Sequence, residues 1–207
     1  MIAIIDYNTG NLFSLASSLE RLGAEYVITS SPEVIKAADY VILPGVGEAS
    51  SSMKKLVERG LDVLIPTLEM PVLGICIGMQ LMCRSSEEGA ARCMGIFDNE
   101  VVRLKGDAIK VPHMGWNRVT KLKSELFTGI DEGEYLYFVH SYAPSPGSLT
   151  ISSTKHGTEF SSALARRNFF GTQFHPEKSG AAGERILKNF ININPQKNVY
   201  NSSHRFN

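Results

Sequence analysis

Four short apolar runs, each leading through a turn into a helical segment, constrain this chain more than any other feature. IAIID (Ile2 to Asp6), YVIT (Tyr26 to Thr29), YVILPG (Tyr40 to Gly45) and VLGI (Val72 to Ile75) read as strands. From Asn11, Leu12, Leu15, Ala16, Leu19 and Leu22 recur at helical spacing until Gly23 closes the stripe. SPEVIKAA offers Ser31 as an N-cap with Pro32 at the first helical position. A further helix is expected from about Ser51 to Glu69. Continuous apolar strands separated by helices form a parallel sheet covered on both faces.

After Gly89 the texture changes. NEVVRL, YLYFVHSY, LTISSTK, SSALARR and NFFGTQF are short strands between turns, one of them marked by Pro144, Pro146 and Gly147. They predict an antiparallel extension of the sheet. A last helix is expected over Ala181 to Phe190, with Ile186, Leu187 and Phe190 on one face. From Pro195 onward the chain is polar and patternless. Residues 1–194 are therefore expected to form one α/β domain, and 195–207 a flexible tail.

The 207 residues, 43% hydrophobic, suffice for one domain with a real core. Lys and Arg total 21, as do Asp and Glu, which leaves no electrostatic basis for capturing nucleic acid or an acidic membrane. No apolar run is long enough to cross a bilayer, and Met1 to Ile5 leads directly into Asp6 without a secretory pattern. The cysteines at 76, 83 and 93 form neither a CxxC pair nor an even set, so a reducing cytoplasm is the expected compartment.

One cysteine stands apart. GICIG (Gly74 to Gly78) places Cys76 between glycines where a strand meets a helix, the pattern of a nucleophile elbow. Such a turn pushes the side chain out at the carboxyl end of the sheet, over the first turn of the following helix. The Ile77 N–H is then placed to hold an oxyanion. Cys83 and Cys93 lack the frame and read as small buried residues. On the preceding strand, PGVG (Pro44 to Gly47) can turn backbone N–H groups of Val46 or Gly47 toward the same cleft.

A thiol nucleophile needs a base. Of His113, His140, His156, His175 and His204, His175 follows an apolar strand, and Pro176 biases it toward extended backbone. In an extended segment Glu177 would lie on the same side as His175 and fix its tautomer. His140, alternating with apolar neighbours in YFVHSY, reads as structural or supporting.

Together the elbow, the PGVG loop and the H-P-E sequence resemble the class I, triad-type glutamine amidotransferases. Within that family, PHMGWN (Pro112 to Asn117), YFVHSY (Tyr137 to Tyr142) and HPEKSG (His175 to Gly180) resemble the glutaminase subunits of imidazole glycerol phosphate synthases. The resemblance spans Met1 to Ile193. It implies a flavodoxin-like three-layer sandwich, and L-glutamine hydrolysis by Cys76, His175 and Glu177 with no cofactor or metal. It also implies a glutamine pocket lined by Gln80, Glu88, Ser141 and Tyr142, and a (β/α)8-barrel cyclase subunit as partner. The docking face implied for that partner holds Asn11, Met114, Trp116, Asn117 and Lys178. The residues alone leave Gln80 open as an ordinary helix polar group, Glu88 as a solvated loop charge and Trp116 as a core residue. At Glu48, directly after PGVG, the chain departs from the aromatic or small residue that many members carry. In this family the oxyanion hole is often incomplete until the synthase is liganded, so low activity is expected of the isolated chain. Two other readings share the motifs: a glutaminase serving another synthase, such as a sugar-aminating one, and a stand-alone cysteine hydrolase.

Overall fold

Ile2–Ile5, Tyr40–Leu43 and Val72–Ile75 are buried along nearly their whole length, as runs without polar alternation inside a covered sheet must be, while Tyr26–Thr29, at the sheet edge, is only partly buried. The computed structural model describes residues 1–8, 12–107 and 109–194. Its first half alternates β1 (Ile2–Ile5), α1 (Leu12–Arg21), β2 (Tyr26–Thr29), α2 (Pro32–Lys36), β3 (Tyr40–Leu43), α3 (Ala49–Glu58), α4 (Leu61–Leu64), β4 (Val72–Ile75) and α5 (Ile77–Met82). Ser31 caps α2 as its position suggests, its side chain accepting from the Val34 N–H. The helix expected over Ser51 to Glu69 is instead two helices and a 3-10 turn at Ile65–Thr67. Gly60, at φ +65°, breaks it, and Pro66 follows.

The second half contains β5 (Ser85–Ser86), β6 (Ala91–Arg92), β7 (Glu100–Arg103), β8 (His113–Arg118), β9 (Tyr135–His140), β10 (Tyr142–Pro144), β11 (Thr150–His156), β12 (Thr158–Arg166), β13 (Phe169–Thr172) and α6 (Gly180–Phe190). A seven-stranded sheet runs β11-β12-β13-β4-β3-β1-β2. The first four strands and β13 are parallel, and β11 and β12 supply the antiparallel extension. The fold class is thus the expected one, a mixed α/β fold around a mostly parallel sheet.

Not all the later strands join that extension. NFFGTQF contributes β13, which enters the sheet parallel to β4, and its four residues are all buried. That burial is the reason: an apolar run with no polar face belongs in the sheet interior, not at an antiparallel edge. YLYFVHSY divides at Ser141. β9 pairs with β8 as a separate two-stranded ribbon, and β10 joins a small sheet with β7, β5 and β6. The strand at β12 also begins three residues before SSALARR, at Thr158. Ile186, Leu187 and Phe190 are the buried face of α6, as its spacing predicts. The expected tail falls outside the described residues. No helix among the described residues is long and apolar enough to cross a membrane.

The insertion of β13 beside β4 brings two distant segments to one edge. Thr172 lies opposite Ile75, so these parallel neighbours end at the same level. Cys76 is the next residue after β4, and His175 comes three residues after β13. Both emerge at the carboxyl end of the sheet, where open α/β sheets bind ligands.

Candidate active site

Cys76 adopts φ +54° and ψ −111°, a conformation rare for a residue with a Cβ. The surrounding chain leaves it little choice. A Cβ on Gly74 would meet the Met79 nitrogen at 2.7 Å, and one on Gly78 would run into the Leu43 carbonyl. The two glycines of the G-x-C-x-G frame are therefore required by the close approach of β4, α5 and β3. Gly45 meets the same limit, since its Cβ would stand 2.6 Å from the Gly78 nitrogen. Thus the PGVG loop packs directly on the elbow. Buried Tyr7, two residues past β1, fixes that loop by donating its hydroxyl to the Pro44 carbonyl at 2.8 Å.

Cys76 is 3% exposed, and its sulfur lies 3.8 Å from the Val139 carbonyl and accepts from Gln173 Nε2 at 3.6 Å. Ile77 begins α5, so its N–H belongs to the first helical turn, whose donors have no intrahelical acceptor.

His175 is held by its backbone. Its N–H donates to the Tyr137 carbonyl at 2.9 Å, and its carbonyl accepts from Ser179 Oγ at 2.7 Å. Ser179 Oγ also accepts from the Tyr137 N–H, tying the segment to β9. Nδ1 of His175 pairs with Glu177 Oε1 at 2.8 Å. The contact is the expected one, but the route differs: Pro176–Lys178 forms a 3-10 turn, and this turn, not extended backbone, brings the carboxylate round. Burial by itself would lower the His175 pKa. The negative charge that Cys76 can carry beside it, with help from the Glu177 carboxylate, outweighs that and raises it to about 10. His175 Nε2 and Glu177 Oε2 are buried and have no hydrogen-bond partner among the described residues.

A cleft of about 320 Å³ opens onto these groups. Val46, Gly47, Cys76, Ile77, Gln80, Glu88, Ser141, Tyr142 and His175 line it, so every sequence-derived pocket candidate is there, with Glu177 behind His175. Gly47 holds φ +96°, which only glycine adopts without strain. Gln80 is almost wholly buried, and its Oε1 is unpaired among the described residues. Glu88 is only half-buried, yet it is not a simple solvated charge. Its Oε2 accepts the Ala49 N–H at 2.8 Å, at the start of α3. Burial raises its pKa, the Ala49 hydrogen bond opposes that, and the charge of Glu48 adds to it. Glu48 itself is exposed and accepts from Ser50 Oγ at 2.9 Å.

Sequence reasoning did not single out Pro112 and Val139 as lining residues, and it gave Gln173 no part. His140, read from its alternation as structural or supporting, also lines the cleft. Gln173 sits inside GTQFHPE with no motif of its own, and only the pairing of β13 with β4 brings it to the sulfur. The buried alternation of β9 was a usable signal for His140.

Above the cleft, β8 and β9 pair His113 with His140 and Trp116 with Tyr137. Met114 is 65% exposed and Trp116 54%, which removes the core reading of the tryptophan. The Trp116 ring meets Tyr137 edge-on with centroids 6.1 Å apart. Asn117, on β8, and Lys178, on the turn after His175, are both half-buried. Asn11 lies outside the described residues.

The glutamine amidotransferase class-I model matches residues 3–193. The chain is 55% identical over 194 residues to the imidazole glycerol phosphate synthase subunit HisH of Bacteroides fragilis strain YCH46, covering 93% of this chain and 99% of that one. It is 43% identical over 199 residues to the imidazole glycerol phosphate synthase subunit HisH 1 of Vibrio vulnificus strain YJ016, covering 93% and 98%. Among solved structures, PurLQS from Thermotoga maritima superposes with a TM-score of 0.67 at 15% identity, over 92% of this chain and 97% of that one. The Trypanosoma brucei CTPS glutaminase domain with bound acivicin gives 0.63 at 14% identity, over 93% and 94%. These structural likenesses carry the fold, while the family model and the curated relatives carry the lineage: the chain belongs to the class-I glutamine amidotransferase family.

Proposed function

We propose that this chain is the glutaminase subunit of an imidazole glycerol phosphate synthase, hydrolysing L-glutamine and passing ammonia to a (β/α)8-barrel cyclase subunit. The observation that carries the chemistry is the shared cleft, with Cys76 on its strained turn and His175 held by Glu177. The choice of synthase rests on relatives of that name, which match at 43–55% identity along almost their entire length.

In this reading the Cys76 thiolate attacks the side-chain amide carbon of glutamine. Negative charge collects on the former carbonyl oxygen and is received by backbone N–H groups of Ile77 and of Val46 or Gly47. Protonated His175 then delivers its Nε2 proton to the departing nitrogen, and ammonia leaves. Glu177 keeps Nδ1 occupied, so Nε2 is the nitrogen that works. Water, deprotonated by the now neutral His175, attacks the thioester, and glutamate leaves as the thiolate is restored. Glu88 suits the α-ammonium of the substrate, and Ser141 and Tyr142 the rest of the amino acid. Ammonia released to water would be protonated and lose its nucleophilicity, which is why such a site needs a synthase docked above it. Exposed Met114 and Trp116 suit that docking surface.

The test is a glutaminase assay with and without the cyclase subunit and its nucleotide substrate, comparing wild type with Cys76→Ala. Glutamine-dependent product should vanish in the variant, while ammonia-dependent synthesis by the complex persists. Turnover by the isolated chain equal to that of the liganded complex would overturn the subunit reading in favour of a stand-alone hydrolase.

A further inference from the structure

Behind the cleft runs a hydrogen-bond chain that glutamine hydrolysis does not itself use. Gln173 is fully buried, one residue past the end of β13. Its Nε2 points at Cys76 Sγ, and its Oε1 accepts from Gln80 Nε2 at 3.0 Å. Gln80 Nε2 also donates to the Tyr142 carbonyl at 2.9 Å, which is met from the other side by His140 Nδ1 at 2.9 Å. His140 Nε2 lies 3.0 Å from His113 Nδ1, and His113 Nε2 lies 3.1 Å from Asn117 Nδ2.

The direction of each bond follows from the backbone carbonyls, because a carbonyl only accepts. Tyr142 therefore demands a donor from both Gln80 and His140. Were the Gln80 amide turned over, its Oε1 would face the Tyr142 oxygen, acceptor against acceptor. With Gln80 so fixed, Gln173 must accept from it, and this leaves the Gln173 NH2 for the sulfur. On the other branch, His140 donates through Nδ1 and accepts at Nε2 from His113. His113 in turn accepts from Asn117, whose amide also donates to the Lys155 carbonyl at 3.1 Å. This chain requires both rings neutral. Burial supplies that, lowering His113 to about 4 and His140 to about 3.

An N–H aimed at sulfur binds the anion more strongly than the thiol. The Val139 carbonyl has the opposite preference, since it can accept only from the protonated form. We propose that Gln173 is a positioning residue, one that holds the Cys76 sulfur as an anion facing His175 through an amide donor oriented by Gln80 and Tyr142. The inference rests on the reading of Cys76 as the nucleophile. The step it favours is the transfer of the thiol proton from Cys76 to His175 Nε2, and no other bond changes. The other titratable groups facing the sulfur across the cleft are Glu88, His140, Tyr142 and His175, the last backed by Glu177. None is altered in the test.

Alkylation of Cys76 by iodoacetamide, located by mass spectrometry in the full chain, separates the outcomes. At pH 7 Gln173→Met should react about tenfold more slowly than wild type, the worth of one hydrogen bond to a charged group. Gln173→Glu should be slower again, because its carboxylate repels the thiolate. At pH 10 the wild-type and Met rates should converge, as a packing defect would not make them do. Equal rates at pH 7 in folded variants, or a deficit that persists unchanged at pH 10, overturn the inference. Should neither variant fold, Gln80→Met decides: it leaves Gln173 in place but frees its amide to turn. An unchanged rate in that variant overturns the inference, and a loss of about threefold at pH 7 supports it. Failure of the nucleophile reading looks different. In that case wild-type Cys76 labels no faster than Cys83 or Cys93, and glutamine gives it no protection.

Discussion

His113 Nδ1 and His140 Nε2 stand 3.0 Å apart across the β8–β9 ribbon, and the full chain from Asn117 through both rings to the Tyr142 carbonyl closes only while both are neutral. Burial lowers both pKa values from 6.5, to about 4 and about 3; the charge of His156 adds to this at His113, while at His140 the Tyr142 hydrogen bond opposes it and the neighbouring histidines add to it. Here the folded pKa lies below the unfolded one. As pH falls below 6.5 the unfolded chain takes up protons that the folded chain refuses, so stability falls with pH. The thermal midpoint should therefore decline from about pH 6.5 toward pH 4, as read by circular dichroism. A His140→Gln variant, whose amide can donate to Tyr142 and accept from His113, should show a shallower decline. An identical acid limb in both proteins would count against this assignment.

The glycines of the elbow make a second prediction. Because a Cβ on Gly78 would run into the Leu43 carbonyl, Gly78→Ala must push α5 away from β3. Overpacking of this kind costs about 3 kcal/mol, which corresponds to a drop of about 10 °C in Tm for a chain of this size. Gly23→Ala serves as the contrast. A Cβ there meets nothing within 4 Å, and the loss comes from its φ of +67° alone, about 1 kcal/mol.

Glu177→Gln keeps the shape of the His175 partner and removes its charge. Expected is a fall in kcat of about a hundredfold or more with little change in KM for glutamine, since the carboxylate touches the imidazole and not the substrate. The alkaline side of the profile should move too. With His175 raised to about 10, the proposed general acid stays protonated through neutral pH and is lost as pH rises through that value. Without the carboxylate this loss begins at lower pH. Steady-state kinetics of the complex from pH 6 to 10 measure both effects, and an unshifted alkaline limb contradicts the role given to Glu177.

On the β8 face, Trp116→Ala separates docking from folding. More than half of the side chain's surface is exposed, so the isolated chain should keep its Tm within a few degrees. Affinity for the cyclase subunit should fall by about thirtyfold or more, the weight of a buried aromatic anchor. Calorimetric titration with the cyclase subunit reads the change. Full affinity together with a large loss of stability would return Trp116 to a structural role.

Much of the candidate site was legible in the sequence because it is written in short-range chemistry. A nucleophile elbow needs glycines two residues either side of the turn residue, and GICIG shows them. PGVG and H-P-E are equally local, and so are the first four strands, whose apolar runs admit few other readings. The helix expected through Gly60 failed for a local reason as well. A glycine in left-handed conformation ends a helix, and the apolar periodicity around it concealed the break.

What the sequence determined by itself was the order of the first four strands, the choice of Cys76 as the candidate thiol, and the local pairing of His175 with Glu177. Tertiary structure decided that these share one cleft. Gln173 and Cys76 are 97 residues apart and touch because β13 inserts beside β4 instead of extending an edge. Structure also decided that Trp116 faces outward while His113, three residues earlier on the same strand, faces the buried relay. The reason is physical: an apolar run states that a strand will be buried but not which neighbour will bury it. Strand partners are chosen by the packing of the whole sheet, and the geometry of the cleft follows from that choice.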